Sequence, residues 1–186
     1  MLFIVEHCER GVSEWMELEY RHCGKIAGGE LLFTNVSLEK DQRAIGKIGH
    51  FRKESAADFL KGEKVIVLDP QTDKLLSPDD FKLADKIVIG GILGDAMPRG
   101  RTKDLITSKL NGIPRSIGQY QLSIDGACFM AKKVADGAKL EDVLLSNKPE
   151  IEFSENESIT LDYAIPVFEG KPVLTPGLLE YLRKKG

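Results

Sequence analysis

The chain has 186 residues, a length that suits one domain with a small appendage, at about 150 residues per domain. Apolar residues make up 42% and charged residues 30%, which excludes a disordered or fibrous chain and points to a folded globular one. Twenty-six basic against 29 acidic side chains leave a formal charge of −3, which argues against a broad nonspecific nucleic-acid footprint.

Residues 1–5 are apolar but lack a preceding basic region, so they do not read as a signal peptide. No apolar run reaches the ~20 residues that span a bilayer, so no membrane partner is expected and the cytoplasm is the expected compartment. The first strand is predicted over residues 2–5. Ser13 then supplies an N-cap for a helix over 14–26. On a wheel of ~100° per residue, Trp15, Leu18, His22, Cys23 and Ile26 form the apolar side, with Glu19 set between Trp15 and Cys23. Trp15 is expected in the core. A carboxylate inside an apolar face must be paired, hydrogen-bonded, neutralised or open to a cleft.

Further strands are predicted over 31–36, 65–68, 87–89 and 113–117. The second and third of these are continuous apolar runs, as in strands covered on both faces. Helix starts are read between and after them: Ser77-Pro78-Asp79-Asp80 combines an N-cap, a proline at the first helical position and two acids, while Thr102 and Ser123 are further N-cap candidates. Strands separated by helical stretches give an α/β domain with a largely parallel sheet. Residues 149–186 read as an appended strand-and-helix element, with Glu169-Gly170 at a tight turn and a last helix after Thr175-Pro176. Three cysteines make no disulfide framework, and His7-Cys8 and His22-Cys23 lack zinc-ligand spacing. No metal is expected; the pairs read as buried thiols beside surface imidazoles.

Three glycine-bearing loops follow strands: 68–70, 90–102 and 116–126. In open α/β sheets ligands bind beyond the carboxyl ends of the strands, so three such loops can form one small-molecule pocket. Neither GxGxxG nor GxxxxGK[ST] occurs, which leaves no dinucleotide or P-loop signature. The string Ser116-Ile117-Gly118-Gln119-Tyr120-Gln121-Leu122-Ser123 resembles the cofactor loop of the SPOUT methyltransferases, with Gln119 where an acid is common. Two further segments resemble one SPOUT branch. They are Ile4-Val5-Glu6-His7 with Ser13-Glu14-Trp15-Met16-Glu17-Leu18-Glu19-Tyr20, and Gly90-Gly91-Ile92-Leu93-Gly94-Asp95 with Pro98-Arg99-Gly100-Arg101-Thr102. That branch holds predicted RNA methyltransferases and a eukaryotic enzyme that methylates an arginine of a ribosomal protein.

The resemblance implies a SPOUT-type parallel sheet with a C-terminal trefoil knot, S-adenosylmethionine as cofactor and S-adenosylhomocysteine as product. It places the cofactor at Leu68 and Asp69; at Gly90, Gly91, Ile92, Leu93, Gly94 and Asp95; and at Ile117, Gly118, Tyr120, Leu122 and Ser123. It implies a macromolecular acceptor, either a ribosomal protein or RNA. A module that binds the cofactor or RNA without turnover is the reading from a different class. Most SPOUT enzymes pair as homodimers through the knot, whereas a short chain with its own acidic wall can work as a monomer; both stay open.

Five glutamates stand in the first nineteen residues, Glu6, Glu9, Glu14, Glu17 and Glu19, against Arg10 alone among basic side chains. Glu14 and Glu17 fit a solvated face at helix spacing from Arg21. Glu19, with Glu6 as second candidate, fits an active cleft for an arginine acceptor, because carboxylates engage the guanidinium fork in bidentate fashion. The same acids would repel RNA phosphate. Arg99 and Arg101, with Arg115 nearby in the chain, form the basic set that would meet phosphates in the RNA reading and shape the cleft in the protein reading.

Overall fold

A computed structural model describes residues 1–93, 100–154 and 157–185. Six parallel strands make the main sheet: β1 (Leu2–His7), β2 (Leu31–Thr34), β3 (His50–Phe51), β4 (Val65–Leu68), β5 (Lys86–Gly91) and β6 (Gly112–Arg115), in the spatial order β3-β2-β1-β5-β4-β6. The α/β class is as expected, and each of the five predicted strands is present, Val65–Leu68 with the expected ends and the other four with adjusted ones. β2 stops at Thr34 because Asn35 turns into the left-handed region at φ 62. β6 stops at Arg115, and Ser116 bridges to Leu75 instead. The two-residue β3 is too short to leave an alternation signal.

Among the described residues five helices accompany the sheet. In α1 (Glu14–Ile26), Ser13 Oγ accepts the Met16 amide at 3.2 Å. The short α2 (Glu39–Ile45) and α3 (Ala56–Phe59) fall below the window in which periodicity can be read. In α4 (Ile124–Ala135), Ser123 Oγ accepts the Gly126 amide at 3.2 Å. Two expected starts differ. Ser77 opens only a 3₁₀ turn, Pro78–Lys82, in which Asp80 accepts the Ser77 amide at 2.9 Å. Thr102 does not cap: it is already helical at φ −61, ψ −44, and the segment Lys103–Thr107 is a single wide turn.

Side-chain alternation along β1 decides what each face receives. Phe3 and Val5 enter the core with Met16, Tyr20 and Cys23 of α1 and Cys128 of α4. Ile4 enters the opposite core with Ala56, Val67 and Val88. The buried stripe of α1 is Met16, Glu19, Tyr20 and Cys23, rotated from the expected one, so Trp15 is half-buried at its border rather than in the core. Nor is His7 a surface imidazole; it is buried and meets the Tyr20 hydroxyl at 2.9 Å.

The C-terminal part begins earlier than expected, with β7 (Leu144–Ser146). It continues through β8 (Glu150–Ser154), β9 (Glu157–Thr160), β10 (Ile165–Phe168), β11 (Lys171–Pro172) and α5 (Leu178–Lys185). β8 and β9 pair antiparallel, and β10 lies antiparallel between β7 and β11. Glu169 and Gly170 link β10 to β11 with φ of 52 and 74, the two left-handed residues a tight hairpin turn requires. Among the described residues no helix is long and apolar enough to cross a membrane.

Candidate active site

Because β5, β4 and β6 are neighbours in the sheet, the loops that leave their carboxyl ends meet. They enclose a cavity of about 270 Å³. Leu68 and Asp69 line it from the first loop, Gly90, Ile92 and Leu93 from the second, and Ile117, Gly118, Tyr120, Leu122 and Ser123 from the third. Gly91 does not line it. A Cβ there would stand 2.5 Å from the Tyr20 hydroxyl and 2.8 Å from the Glu6 carbonyl oxygen, so glycine serves the packing of β5 against β1 and α1. Gly94, Asp95 and Arg99 lie outside the described residues.

Polar side chains hold these loops in shape. The buried Asp69 accepts the Gln71 amide at 2.9 Å and the Thr107 hydroxyl at 2.7 Å. Ser116 Oγ accepts the Gly118 amide at 3.1 Å, and Gly118 takes φ +112 with nothing within 4 Å of where a Cβ would point. Arg101 spans Glu9 and the second loop: Nη1 donates to Glu9 Oε1 at 2.9 Å, Nη2 donates to the Leu93 carbonyl, and Glu9 Oε1 also accepts the Leu93 amide at 3.0 Å. Glu9, one of the five N-terminal glutamates, carries no spacing signal toward Arg101, 92 residues away. Arg115 pairs with Asp80, Nε to Oδ1 at 2.8 Å, and lines neither this cavity nor its neighbour.

A second cavity of about 470 Å³ shares Ile92, Leu93 and residues 121–124 as a wall with the first. Trp15, Glu19 and Tyr163 also line it, with Leu182 of α5. Trp15 is therefore a cavity wall, braced edge-on by Tyr163 and Tyr181 with centroids 6.4 and 5.7 Å away. Glu19 is only 2% exposed. Its Oε1 accepts the Trp15 indole N–H at 2.5 Å and its Oε2 accepts the Ile124 amide at 3.0 Å. Burial, and next the negative charge of Asp125, push its carboxyl up to about 8, against the two donors that favour the ionised form. Asp125 is itself held by His22 Nδ1 at 2.7 Å and the Thr175 hydroxyl at 2.6 Å.

Glu6 is not brought to Glu19. By the alternation of β1 its side chain leaves the other sheet face, where Oε2 accepts the Thr34 hydroxyl at 2.5 Å and the Ala56 amide at 2.8 Å. It ties β1 to β2 and to the start of α3, and it lines neither cavity. The acid whose charge acts on Glu19 is instead Asp125, which does not itself line the second cavity, whereas Asp162 does. Asp125, Trp15 and Tyr163 were missed as site residues. Only Trp15 had a readable signal, its i,i+4 spacing from Glu19.

The first cavity has features that suit an adenosine group: apolar Leu68, Ile92, Ile117 and Leu122, and open space beside Gly118. Comparison with known proteins points the same way. The family profile described as protein arginine N-methyltransferase SFM1-like matches residues 2–186. Protein arginine N-methyltransferase SFM1 of Saccharomyces cerevisiae is 36% identical, over 99% of this chain and 95% of the yeast one. Crystal structures of the yeast arginine methyltransferase SFM1 with SAH and with SAM each superpose with a TM-score of 0.88. Their identities are 31% and 32%, over 97% and 99% of this chain and 94% and 90% of theirs. Trm10 of Thermococcus kodakaraensis shares the fold at a TM-score of 0.57 and 18% identity, over 76% of this chain and 96% of that one.

Proposed function

The chain belongs to the SFM1-like family of protein arginine N-methyltransferases, and from that premise we propose how its two cavities divide the work of an S-adenosylmethionine-dependent methyl transfer to a protein arginine. The first cavity holds the donor and the second the acceptor guanidinium, with the shared wall bringing methyl group and nitrogen together. The observation that carries this reading is Glu19, a buried carboxyl lining the second cavity beside the donor loops.

When bound, the donor supplies a methyl group already activated on a sulfonium; the protein has to orient the nucleophile and take a proton. Guanidinium keeps its proton in water, with a pKa above about 12. Docking that cation against Glu19 favours the carboxylate, which still has unused lone pairs beyond those engaged by Trp15 and Ile124. The carboxylate holds the fork with one nitrogen toward the methyl group. As the new N–C bond forms and the S–C bond breaks, it accepts the proton that nitrogen releases.

The proposed acceptor is a ribosomal protein, a basic partner suited to the glutamate-rich N-terminal segment. The wider proposal keeps residues 1–186 as one working domain with the trefoil knot implied by the SPOUT resemblance, in the cytoplasm. Incubation of the enzyme with tritiated donor and separated ribosomal protein and ribosomal RNA fractions tests the acceptor. Label is expected in protein, released as methylarginine on hydrolysis; label confined to RNA would overturn the arginine reading.

Arg101 has a different task from Glu19. Joined to Glu9 and to the Leu93 carbonyl, it fixes the second donor loop. Arg101→Ala is expected to weaken S-adenosylhomocysteine binding about tenfold by calorimetry, the loss of one partly buried charged pair, with a smaller effect on turnover at saturating donor.

A further inference from the structure

Tyr163 lines the second cavity together with Glu19 and Trp15, and its hydroxyl is buried without a hydrogen-bond partner among the described residues. The ring is held in place: it packs edge-on against Trp15 and joins the small cluster of Ile151, Leu161 and Ile165. A buried hydroxyl left unmade costs about 1–3 kcal/mol, so a position that folding alone had shaped would carry phenylalanine here. A ligand in the cavity can supply the partner that the described residues do not. Resting on the two-cavity reading above, we propose that the Tyr163 oxygen accepts a hydrogen bond from the acceptor guanidinium and thereby selects arginine over lysine.

The chemistry of the cavity fits that cation. Guanidinium is a planar set of five N–H donors with no acceptor. Glu19 and a neutral phenol in the same lining offer two acceptors to that set of donors, with Trp15 bonded to the first and packed against the second. An ammonium, as a compact point charge on a flexible stem, satisfies Glu19 but presents its donors from a single atom rather than along an extended plane. Burial holds the Tyr163 phenol above its ordinary range, so it stays protonated and turns its oxygen lone pairs to the ligand. Its readiness to accept costs no second buried charge beside Glu19 and Asp125.

The protein contains a single tryptophan, and that residue lines the cavity, so its fluorescence reports occupancy without a methyl acceptor or turnover. The probes are N-ethylguanidinium and n-propylammonium chlorides, titrated into the full chain saturated with S-adenosylhomocysteine, with potassium chloride as the ionic-strength control. Wild type should bind ethylguanidinium more tightly than propylammonium. Tyr163→Phe should weaken ethylguanidinium at least about tenfold, the loss of one charge-assisted hydrogen bond, leave propylammonium unchanged, and melt at or above the wild-type temperature. An unchanged guanidinium affinity in Tyr163→Phe overturns the inference, as does a lower melting temperature, which would mean that the hydroxyl already has a partner within the fold. Absence of guanidinium binding to wild type would instead defeat the two-cavity reading on which the inference rests.

Discussion

Glu19→Gln lowers turnover with a protein acceptor by about two to three orders of magnitude, while affinity for S-adenosylhomocysteine stays within about twofold. The split follows from the placement of the carboxyl. It lines the second cavity and not the first, so the donor loops do not need it. The acceptor loses both a countercharge and a proton acceptor. Glutamine also cannot reproduce the hydrogen bonding: Trp15 and Ile124 each donate to a different oxygen, and an amide nitrogen would face one of those donors. Initial rates with tritiated donor, set beside calorimetry, check both halves. Equal turnover in the variant would remove Glu19 from the chemistry. In the wild type, kcat/KM should rise with pH toward about 8, the value to which burial and Asp125 push this carboxyl.

The same substitution has a signature in stability, opposite in sign to the loss of activity. The folded-state pKa of Glu19 lies above its unfolded value of 4.5, so the folded protein binds the proton more tightly. Its contribution is fully present below pH 4.5 and is lost as pH rises through about 8. Wild type should therefore lose stability relative to Glu19→Gln across that window, by on the order of 3 kcal/mol. Urea unfolding at pH 5 and pH 9 measures the change. A difference independent of pH would mean that the carboxyl is solvated rather than buried against the second cavity.

The sheet was legible in the sequence where strands are covered on both faces, because Val65–Leu68 and the core of β5 admit no other apolar reading. The start of α1 and the start of α4 were legible from a serine that the structure uses as a cap. What escaped reading was spatial order. Nothing in the chain says that β4 inserts between β5 and β6, yet that insertion makes three loops neighbours. Their joint role came from resemblance. Glu6 and Glu19 look alike in composition and differ in consequence, since one residue of alternation in β1 sends Glu6 to the face of Ala56. Trp15 illustrates the converse: a large apolar side chain is expected inside, but α1 is rotated so that Met16 and Tyr20 take the core and the indole is left to wall a cavity. Long-range pairs such as Glu9 with Arg101 and Glu19 with Ile124 have no periodicity to betray them.

Gly118→Trp abolishes donor binding while the protein remains folded. The argument has two parts. Gly118 adopts φ +112, a region that an L side chain enters only with strain of about 1–2 kcal/mol, so a substitution here costs something even where there is room. Room does exist, since nothing lies within 4 Å of the Cβ position, and that room belongs to the cavity that Gly118 lines with Leu68 and Ile92. An indole grown into a space of about 270 Å³ occupies the volume that the adenosine group needs. Gly118→Ala separates the two contributions, because it carries the strain with little of the bulk. Affinity for S-adenosylhomocysteine should fall severalfold in the alanine variant and more than about 100-fold in the tryptophan variant, with melting temperatures close to each other. Equal affinities in the two variants would mean that backbone strain alone governs the third loop. Undiminished binding in Gly118→Trp would mean that the donor sits elsewhere, and the acceptor placed against Glu19 would lose its partner across the shared wall.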